Sequence, residues 1–385
     1  MIFSIALLKM FSNDKVTCGK GVKRKYHYKV ACTSKAHEKK WILFSKLYDH
    51  SAEIDQKYIN TPHYMTESGW LPDWGLQEAM RELLANMIDQ SRKVLESSDL
   101  RQQELQFTDA PGRLFLHVGD VLLAEARWKE KICTYVSSYV NGGVVKAKAM
   151  KGEHEKVKTQ CVELINYGSE LPWTSFRNGY SSKRDSKTMI GKHGEGLTGA
   201  SVVLNRNGCN LSAECTHNGF TVDILNLGSG VHFQLQRRKP KAKGDLPSCT
   251  VRFTVVFDPE RRYPSPEELM NSVRLCSTAA AAGVTTSRGT LLLEPALRGK
   301  QFNRSIFVAE DRHCLFGYDF LDPDKNLLQG RDRNNHSKTN LVRECGAIIS
   351  EAILQSEEVR KEVLKCFLYS AKYDPNNSEQ EELGQ

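Results

Sequence analysis

Long apolar runs are missing from this 385-residue chain, and so are CxxC pairs, internal repeats and a Walker A ending. With no stretch approaching the ~20 apolar residues that a bilayer requires, no membrane-spanning helix and no membrane partner are expected. The one apolar stretch near a terminus, Ile2 to Leu8, has no basic flank before it and is shorter than most signal-peptide cores, which argues against secretion. The 11 cysteines are scattered from Cys18 to Cys366. Their spacing fits neither a disulfide framework nor a zinc ribbon, and reads as reduced thiols in a cytoplasmic or nuclear protein.

What is there is globular in character. Hydrophobic residues make up 40% and charged residues 26%, so the chain can bury a core and is not disordered as a whole. Its length exceeds one ordinary domain, which points to two folded units. The net charge of +8 is spread unevenly. Lys20, Lys23, Arg24, Lys25, Lys29, Lys35, Lys39 and Lys40 crowd near the N-terminus, with Tyr26 and Tyr28 among them. A basic N-terminal arm over 1–69 is either solvated or a contact for nucleic acid, whose phosphates and bases suit such groups.

From Trp74 to Leu95 the apolar residues Leu76, Ala79, Met80, Leu83, Leu84, Met87 and Ile88 recur at helical spacing, and Asp73 is a candidate N-cap. Short β-favouring runs follow at Arg113–Ala124 and Val162–Asn166. Between Tyr167 and Gly196 the chain is rich in Gly, Ser, Lys and Arg, the composition of a loop or lid. A helix is expected over Leu197–Leu204, then strands over Thr221–Leu227, His232–Leu235 and Thr250–Phe257. The Pro-rich segment 258–266 is the candidate boundary. A second mixed region, 261–372, holds strands at Thr290–Leu293 and Ser305–Val308 and a closing helix from Leu341 to Leu368. The tail, 373–385, reads as disordered.

Three constellations carry chemistry. Glu82, Asn86 and Asp89 sit at i, i+4 and i+7, within an arc of roughly 60° on a helix and apart from its apolar face. Two carboxylates and an amide on one stripe can hold a hydrated divalent cation and orient a water, although on an exposed face the same stripe is solvated surface. Gly191-Lys192-His193-Gly194-Glu195-Gly196 ends the Gly-rich stretch and runs into a helix, so its backbone N–H groups can approach phosphate oxygens. Leu164-Ile165-Asn166-Tyr167-Gly168 is a strand entering a turn, where Asn166 can meet a bound base.

Taken in this order, the three resemble the ATP site of the Bergerat superfamily of gyrases, heat-shock chaperones, histidine kinases and MutL: an E-x-x-x-N-x-x-D helix, a D-x-G-x-G turn, and a lid closing on a G-x-x-G-x-G loop. The resemblance spans about residues 70–260. Trp74-Gly75, Ser181-Ser182-Lys183-Arg184-Asp185 and His193-Gly194-Glu195-Gly196-Leu197 further resemble a heat-shock-chaperone-like ATP-binding branch. It implies an α+β fold, a two-layer α/β sandwich over 70–260 followed by a smaller transducer-like α/β domain.

It also implies roles. Glu82 would be the general base, Asn86 the ligand of Mg2+, and Asp89, Asn166 and Gly168 the lining of the nucleotide pocket. Ser181, Ser182 and Lys183 would reach phosphates from the lid, and Gly191, His193, Gly194, Glu195 and Gly196 would form the phosphate loop. Lys300, in Arg298-Gly299-Lys300, would reach the γ-phosphate from the second domain, with Arg331 and Arg333 as rivals. Two residues depart from the pattern: Asn166 stands where the family has Asp, and Thr198 where the branch has Lys. The implied function is a slow Mg-dependent ATPase that uses lid closure as a switch, with ATP as ligand, a nucleotide-dependent homodimer and a protein client as partners. The alternatives are a nucleotide- or nucleic-acid-binding scaffold without turnover and, behind it, a protein histidine kinase, for which no His-bearing dimerisation helix precedes residue 70.

Overall fold

A computed structural model describes residues 26–32, 40–46, 58–135, 139–140, 143–144, 155–177, 195–216, 219–228, 230–237, 250–259, 261–275, 283–312, 314–321 and 338–372. The chain is mixed α+β and divides into two units, Met1–Val273 and Arg274–Gln385. The division falls after the Pro-rich segment 258–266, because helix α3 (Pro266–Val273) packs on helix α1 and stays with the first unit. Among the described residues, no helix is long and apolar enough to cross a membrane. The expected tail, 373–385, lies outside the described residues.

The first unit is built on an 11-stranded sheet. Its strands are β1 (Tyr26–Cys32), β2 (Lys40–Lys46), β3 (Pro62–Glu67), β4 (Gln106–Ala110), β5 (Arg113–Val118), β6 (Val121–Tyr135), β9 (Glu155–Tyr167), β10 (Asn210–Cys215), β11 (Phe220–Leu227), β12 (Gly230–Arg237) and β13 (Thr250–Val256). A separate two-residue ribbon, β7 (Tyr139–Val140) with β8 (Gly143–Val144), lies between β6 and β9 in sequence. The main order is β1-β2-β6-β9-β13-β10-β11-β12-β3, with the β4–β5 hairpin on β6. Neighbours are antiparallel except β2 and β6. The segment read as a basic arm therefore supplies three strands, and the single run expected at Arg113–Ala124 is a hairpin turning at Gly119 and Asp120.

Burial alternates along β11, β12 and β13, as it must where one face of an antiparallel sheet meets helices. On the helical face a continuous row of register partners runs Ala124, Asn166, Val251, Cys215. The opposite face carries ion pairs instead: Tyr167 and Arg127 both donate to Glu125, Lys129 meets Glu163 at 2.8 Å, and Arg252 donates to Glu214.

Helix α1 (Leu76–Glu96) lies against β6 and β9, and helix α2 (Gly196–Arg206) lies against β3, β10, β11 and β12. No Gly or Pro interrupts α1, and only Ile88 and Val94 among its residues are β-branched. Its N-cap is Gly75, not Asp73: Glu78, three residues on, reaches back to accept from the Gly75 N–H at 2.8 Å, as a capping-box glutamate does. Met80, Leu84 and Ile88 are fully buried.

The segment entering α1 is held from α2. Leu71 sits at φ 57, a left-handed conformation that costs a non-glycine residue about 1–3 kcal/mol. The guanidinium of Arg206, the last residue of α2, donates to the carbonyls of Trp70 (3.5 Å), Leu71 (3.0 Å) and Trp74 (2.5 Å). Gly199 lets the two elements close up, since a Cβ there would stand 2.8 Å from Leu71 and 3.1 Å from the Trp74 ring.

The second unit has a 5-stranded sheet in the order β14-β15-β18-β16-β17. The strands are β14 (Gly283–Thr285), β15 (Gly289–Leu292), β16 (Lys300–Asn303), β17 (Ile306–Glu310) and β18 (Gly317–Phe320), and only β16 and β18 run parallel. The expected closing helix is two: α4 (Lys338–Gln355) and α5 (Glu357–Lys372). Ser356 makes the break, its Oγ accepting from the Val359 N–H at 3.3 Å as an N-cap. Leu341, Cys345, Ile348 and Ala352 of α4 share one core with Val359 and Val363 of α5 and with Leu291, Tyr318 and Phe320 of the sheet.

Arg206→Ala removes the donor shared by three carbonyls and leaves the left-handed Leu71 unsupported. It is expected to lower the stability of the first unit by about 2–4 kcal/mol, read as a drop in the midpoint of its thermal unfolding, whereas Arg206→Lys recovers only part of the loss because an ammonium lacks the planar fork.

Candidate functional site

The polar stripe of α1 is not solvated. Glu82 is 5% exposed and Asp89 0%, while Asn86 between them is half-buried. Burying a carboxylate costs several kcal/mol unless charges or hydrogen bonds compensate, so two of them on one stripe of a helix are not packing filler. Each has a neighbouring arginine. Arg81 Nε lies 3.8 Å from Glu82 Oε1 with its guanidinium 5.9 Å from the Trp74 ring centroid, and Arg92 Nη1 lies 3.7 Å from Asp89 Oδ1. Both separations exceed the 2.7–2.9 Å of a charge-assisted hydrogen bond.

The start of α2 meets this stripe. Glu195 is its N-cap, with the Gly199 N–H donating to the Glu195 carbonyl at 2.7 Å, and Gly196 is its first residue. The Glu82 carboxylate lies so close to Gly196 that a Cβ built there would fall on Glu82 Oε2. A buried acid thus stands beside the N–H groups and partial positive charge of a helix N-terminus.

The end of β9 meets the stripe one turn further along. Asn166 is 2% exposed and its amide nitrogen donates to the Met87 carbonyl at 2.8 Å and to Ser91 Oγ at 3.0 Å, while Ser91 Oγ itself donates to Met87 at 2.9 Å. The carbonyl fixes which way the amide faces, because the reverse orientation would set two oxygens against each other. Asn166 Oδ1 consequently has no donor among the described residues. Gly168 then turns the chain at φ 65, a conformation that favours glycine, and Ser169 Oγ bonds Gln90 Oε1 at 3.2 Å. On the other side of the sheet Tyr167 anchors the same strand end through Glu125 and Arg127.

Glu82, Asn86, Asp89, Asn166, Gly168, Glu195 and Gly196 are therefore placed by three elements that converge along α1. Ser181, Ser182, Lys183, Gly191, His193 and Gly194 lie outside the described residues, as do Arg331 and Arg333. Lys300 belongs to the second unit, where it opens β16 opposite Glu310 of β17. Thr198 is fully buried, its hydroxyl has no hydrogen-bond partner, and at ~200° round the helix from Gly196 it lies on the side of α2 turned from Glu82. A lysine at that position would not be aimed at Glu82.

The residues fit a nucleotide and its cation in specific respects. Asn166 Oδ1 offers an unused acceptor, and Asn86 an amide oxygen among buried acids. Among the described residues no three His, Cys, Asp or Glu side chains gather as a metal cage, so a cation at Asn86 would be one that keeps most of its waters, as magnesium does. Ser91, Arg206 and Arg81 are the site-shaping residues that motif spacing does not reveal. Of these Ser91 has a signal, since it lies one turn beyond Met87 on the helix that carries the stripe.

Two substitutions test this geometry. Gly196→Ala is expected to lower the thermal midpoint through its collision with Glu82, and Glu82→Ala in the same chain to restore most of the loss; additive losses would show that the two do not touch. Asn166→Asp sets a carboxylate against the Met87 carbonyl and is expected to cost about 1–3 kcal/mol of stability at neutral pH, with the loss shrinking as acidification protonates the new group, measured by denaturant unfolding.

Against family models, curated proteins and solved structures alike, the chain has no match.

Proposed function

We propose that the first unit binds ATP with Mg2+ in a Bergerat-type pocket along α1 and hydrolyses it slowly, the helices and the sheet forming the two layers of that fold. The observation that carries this reading is the buried Glu82 carboxylate against Gly196 at the N-terminus of α2. A helix N-terminus attracts phosphate oxygens through its unsatisfied N–H groups, and a carboxylate beside it is where a base for the attacking water belongs.

Each residue then has a task that its surroundings support. Asn166 holds adenine by accepting from the exocyclic amine at Oδ1, the atom left over when its amide nitrogen bonds Met87 and Ser91. Asn86 would hold the magnesium ion, which supplies charge neutralisation on the phosphates. Asp89, with Arg92 beside it, keeps the base-binding end of the stripe polar. Glu82 orients a water and takes its proton. Its burial, the nearby Arg81 and the helix terminus together set the carboxylate's orientation without solvent having to reorganise.

The lid and phosphate-loop residues Ser181, Ser182, Lys183, Gly191, His193 and Gly194 complete the phosphate contacts in this reading. Ordering of a lid by γ-phosphate contacts makes ATP binding a switch, and a nucleotide-dependent dimer is its expected readout.

Calorimetric titration with Mg-ATP, followed by phosphate release on the same sample, tests the proposal. Wild-type protein is expected to bind and release phosphate slowly, Asp89→Asn to bind at least tenfold more weakly, and Glu82→Gln to keep binding while release falls by a factor of about 10²–10⁴. No binding at millimolar nucleotide overturns the pocket. Unchanged release by Glu82→Gln overturns the role of Glu82.

A further inference from the structure

The second unit holds a cluster of sulfur and amide groups that nucleotide chemistry does not use. Cys345, on α4, is 7% exposed inside the core of that unit, and Cys314, in the connection from β17 to β18, packs against it half-buried. The two thiols share a hydrogen bond. Tyr318, fully buried on β18, also bonds Cys345. Gln301 on β16, 1% exposed, directs its amide nitrogen at Cys314 Sγ from 3.9 Å. The Gln301 amide donates to Cys314, and of the two thiols Cys314 is the one whose thiolate is favoured.

A second observation concerns what the cluster lacks. Gln301 Oε1 is buried and has no hydrogen-bond partner. A buried amide oxygen without a donor is costly, and it sits on the same planar group whose nitrogen faces Cys314. A hydroxyl added to the Cys314 sulfur would supply the missing donor.

We propose that Cys314 and Cys345 form a peroxide-responsive modification site, in which Cys314 is oxidised to a sulfenic acid that Cys345 resolves as an intramolecular disulfide. The oxidant is a hydroperoxide. The Cys314 thiolate attacks its terminal oxygen, the O–O bond breaks, and the departing alkoxide or hydroxide takes up a proton. Cys314 has lost two electrons and carries S–OH, whose proton is donated to Gln301 Oε1. The Cys345 thiol then gives up its proton as its sulfur attacks the Cys314 sulfur; the S–O bond breaks and hydroxide leaves with that proton as water. Two thiols and one hydroperoxide become one disulfide, one alcohol or water, and one water.

The thiol energetics agree with this order. The hydrogen bond from Cys345 holds the Cys314 thiol below its ordinary range in spite of burial, whereas Cys345, as the donor in an apolar core, is pushed up. Elsewhere burial pushes the Cys209 thiol up to about 12, and Cys161 and Cys215 are 0% and 1% exposed, which makes these three poor competitors for peroxide. The disulfide would tie the β17–β18 connection to α4.

The test treats the full chain with hydrogen peroxide and follows intact mass, non-reducing peptide maps and labelling by a sulfenic-acid-specific dione. Wild-type protein is expected to lose two hydrogens, to yield a Cys314–Cys345 cross-linked peptide, and to revert with dithiothreitol. Cys345→Ser should instead gain one oxygen and take the dione label at Cys314, and Cys314→Ser should lose both label and cross-link. Gln301→Met should slow labelling of Cys314 severalfold while leaving the thermal midpoint close to wild type. Oxidation of another cysteine ahead of Cys314, or a Cys345→Ser protein that takes no label, overturns the proposal.

Discussion

The meeting of α1 and α2 at the candidate site is held by one guanidinium. Arg206 closes α2, yet its donors are spent on the carbonyls of the segment that opens α1, so the end of one helix fixes the beginning of the other. The fork geometry matters: three carbonyls in a left-handed turn point to one place, and a planar group with five N–H donors can reach them together. Gly199 and Gly196 lie on that same side of α2, and each admits something a side chain would exclude, the Leu71–Trp74 corner in one case and the Glu82 carboxylate in the other. Removing the clamp would not unmake either helix. It would free the angle between them, and with it the approach of Glu82 to Gly196.

The second organising fact is the cost of the stripe. Hydrophobic burial along α1, with Met80, Leu84 and Ile88 fully covered, supplies on the order of 1.5–3 kcal/mol per side chain. Burying Glu82 and Asp89 on the neighbouring face spends part of that gain. A protein under selection for stability alone would have apolar residues there, and each acid instead has an arginine beside it, Arg81 at Glu82 and Arg92 at Asp89. Such expense is what binding and catalytic sites impose. On the far face of the sheet Glu163 and Glu214 are as buried as Glu82, and there the burial is offset directly, by Lys129 at 2.8 Å from Glu163 and by Arg252 donating to Glu214.

Local periodicity made α1 and α2 legible, and the alternation of β11, β12 and β13 did the same for the strands, because these elements each bury one face. What local pattern does not carry is the third dimension. The Glu82–Asn86–Asp89 stripe was readable as a stripe, but whether it met solvent depended on α2, β9 and the segments around them, each from a different stretch of sequence. The sequence points to Asp73 as the cap of α1, and the structure to Gly75, for a related reason: the oxygen that accepts from the Gly75 N–H comes from Glu78, three residues into the helix. The closing helix reads as continuous because apolar spacing carries on across Ser356, and only the hydroxyl capping Val359 marks the break. The short strands β14, β16 and β18 had too few residues for a period to show. Arg206 had no signal at all, since a terminal helical arginine ordinarily faces water.

The Asn166, Ser91 and Met87 bonds tie two distant stretches of the gene to each other. Asparagine at 166 is tolerable because a carbonyl and a hydroxyl on α1 accept its two N–H groups, and serine at 91 is tolerable because an amide engages it. Neither residue can drift alone. A lineage that acquired aspartate at 166 would be under pressure to rebuild position 91 or the helix backbone around 87, and chains that retain the amide should retain the small hydroxyl with it. Inheritance at these two positions is therefore expected to be paired, a signature that would be visible in descendants of this chain long after overall similarity had decayed.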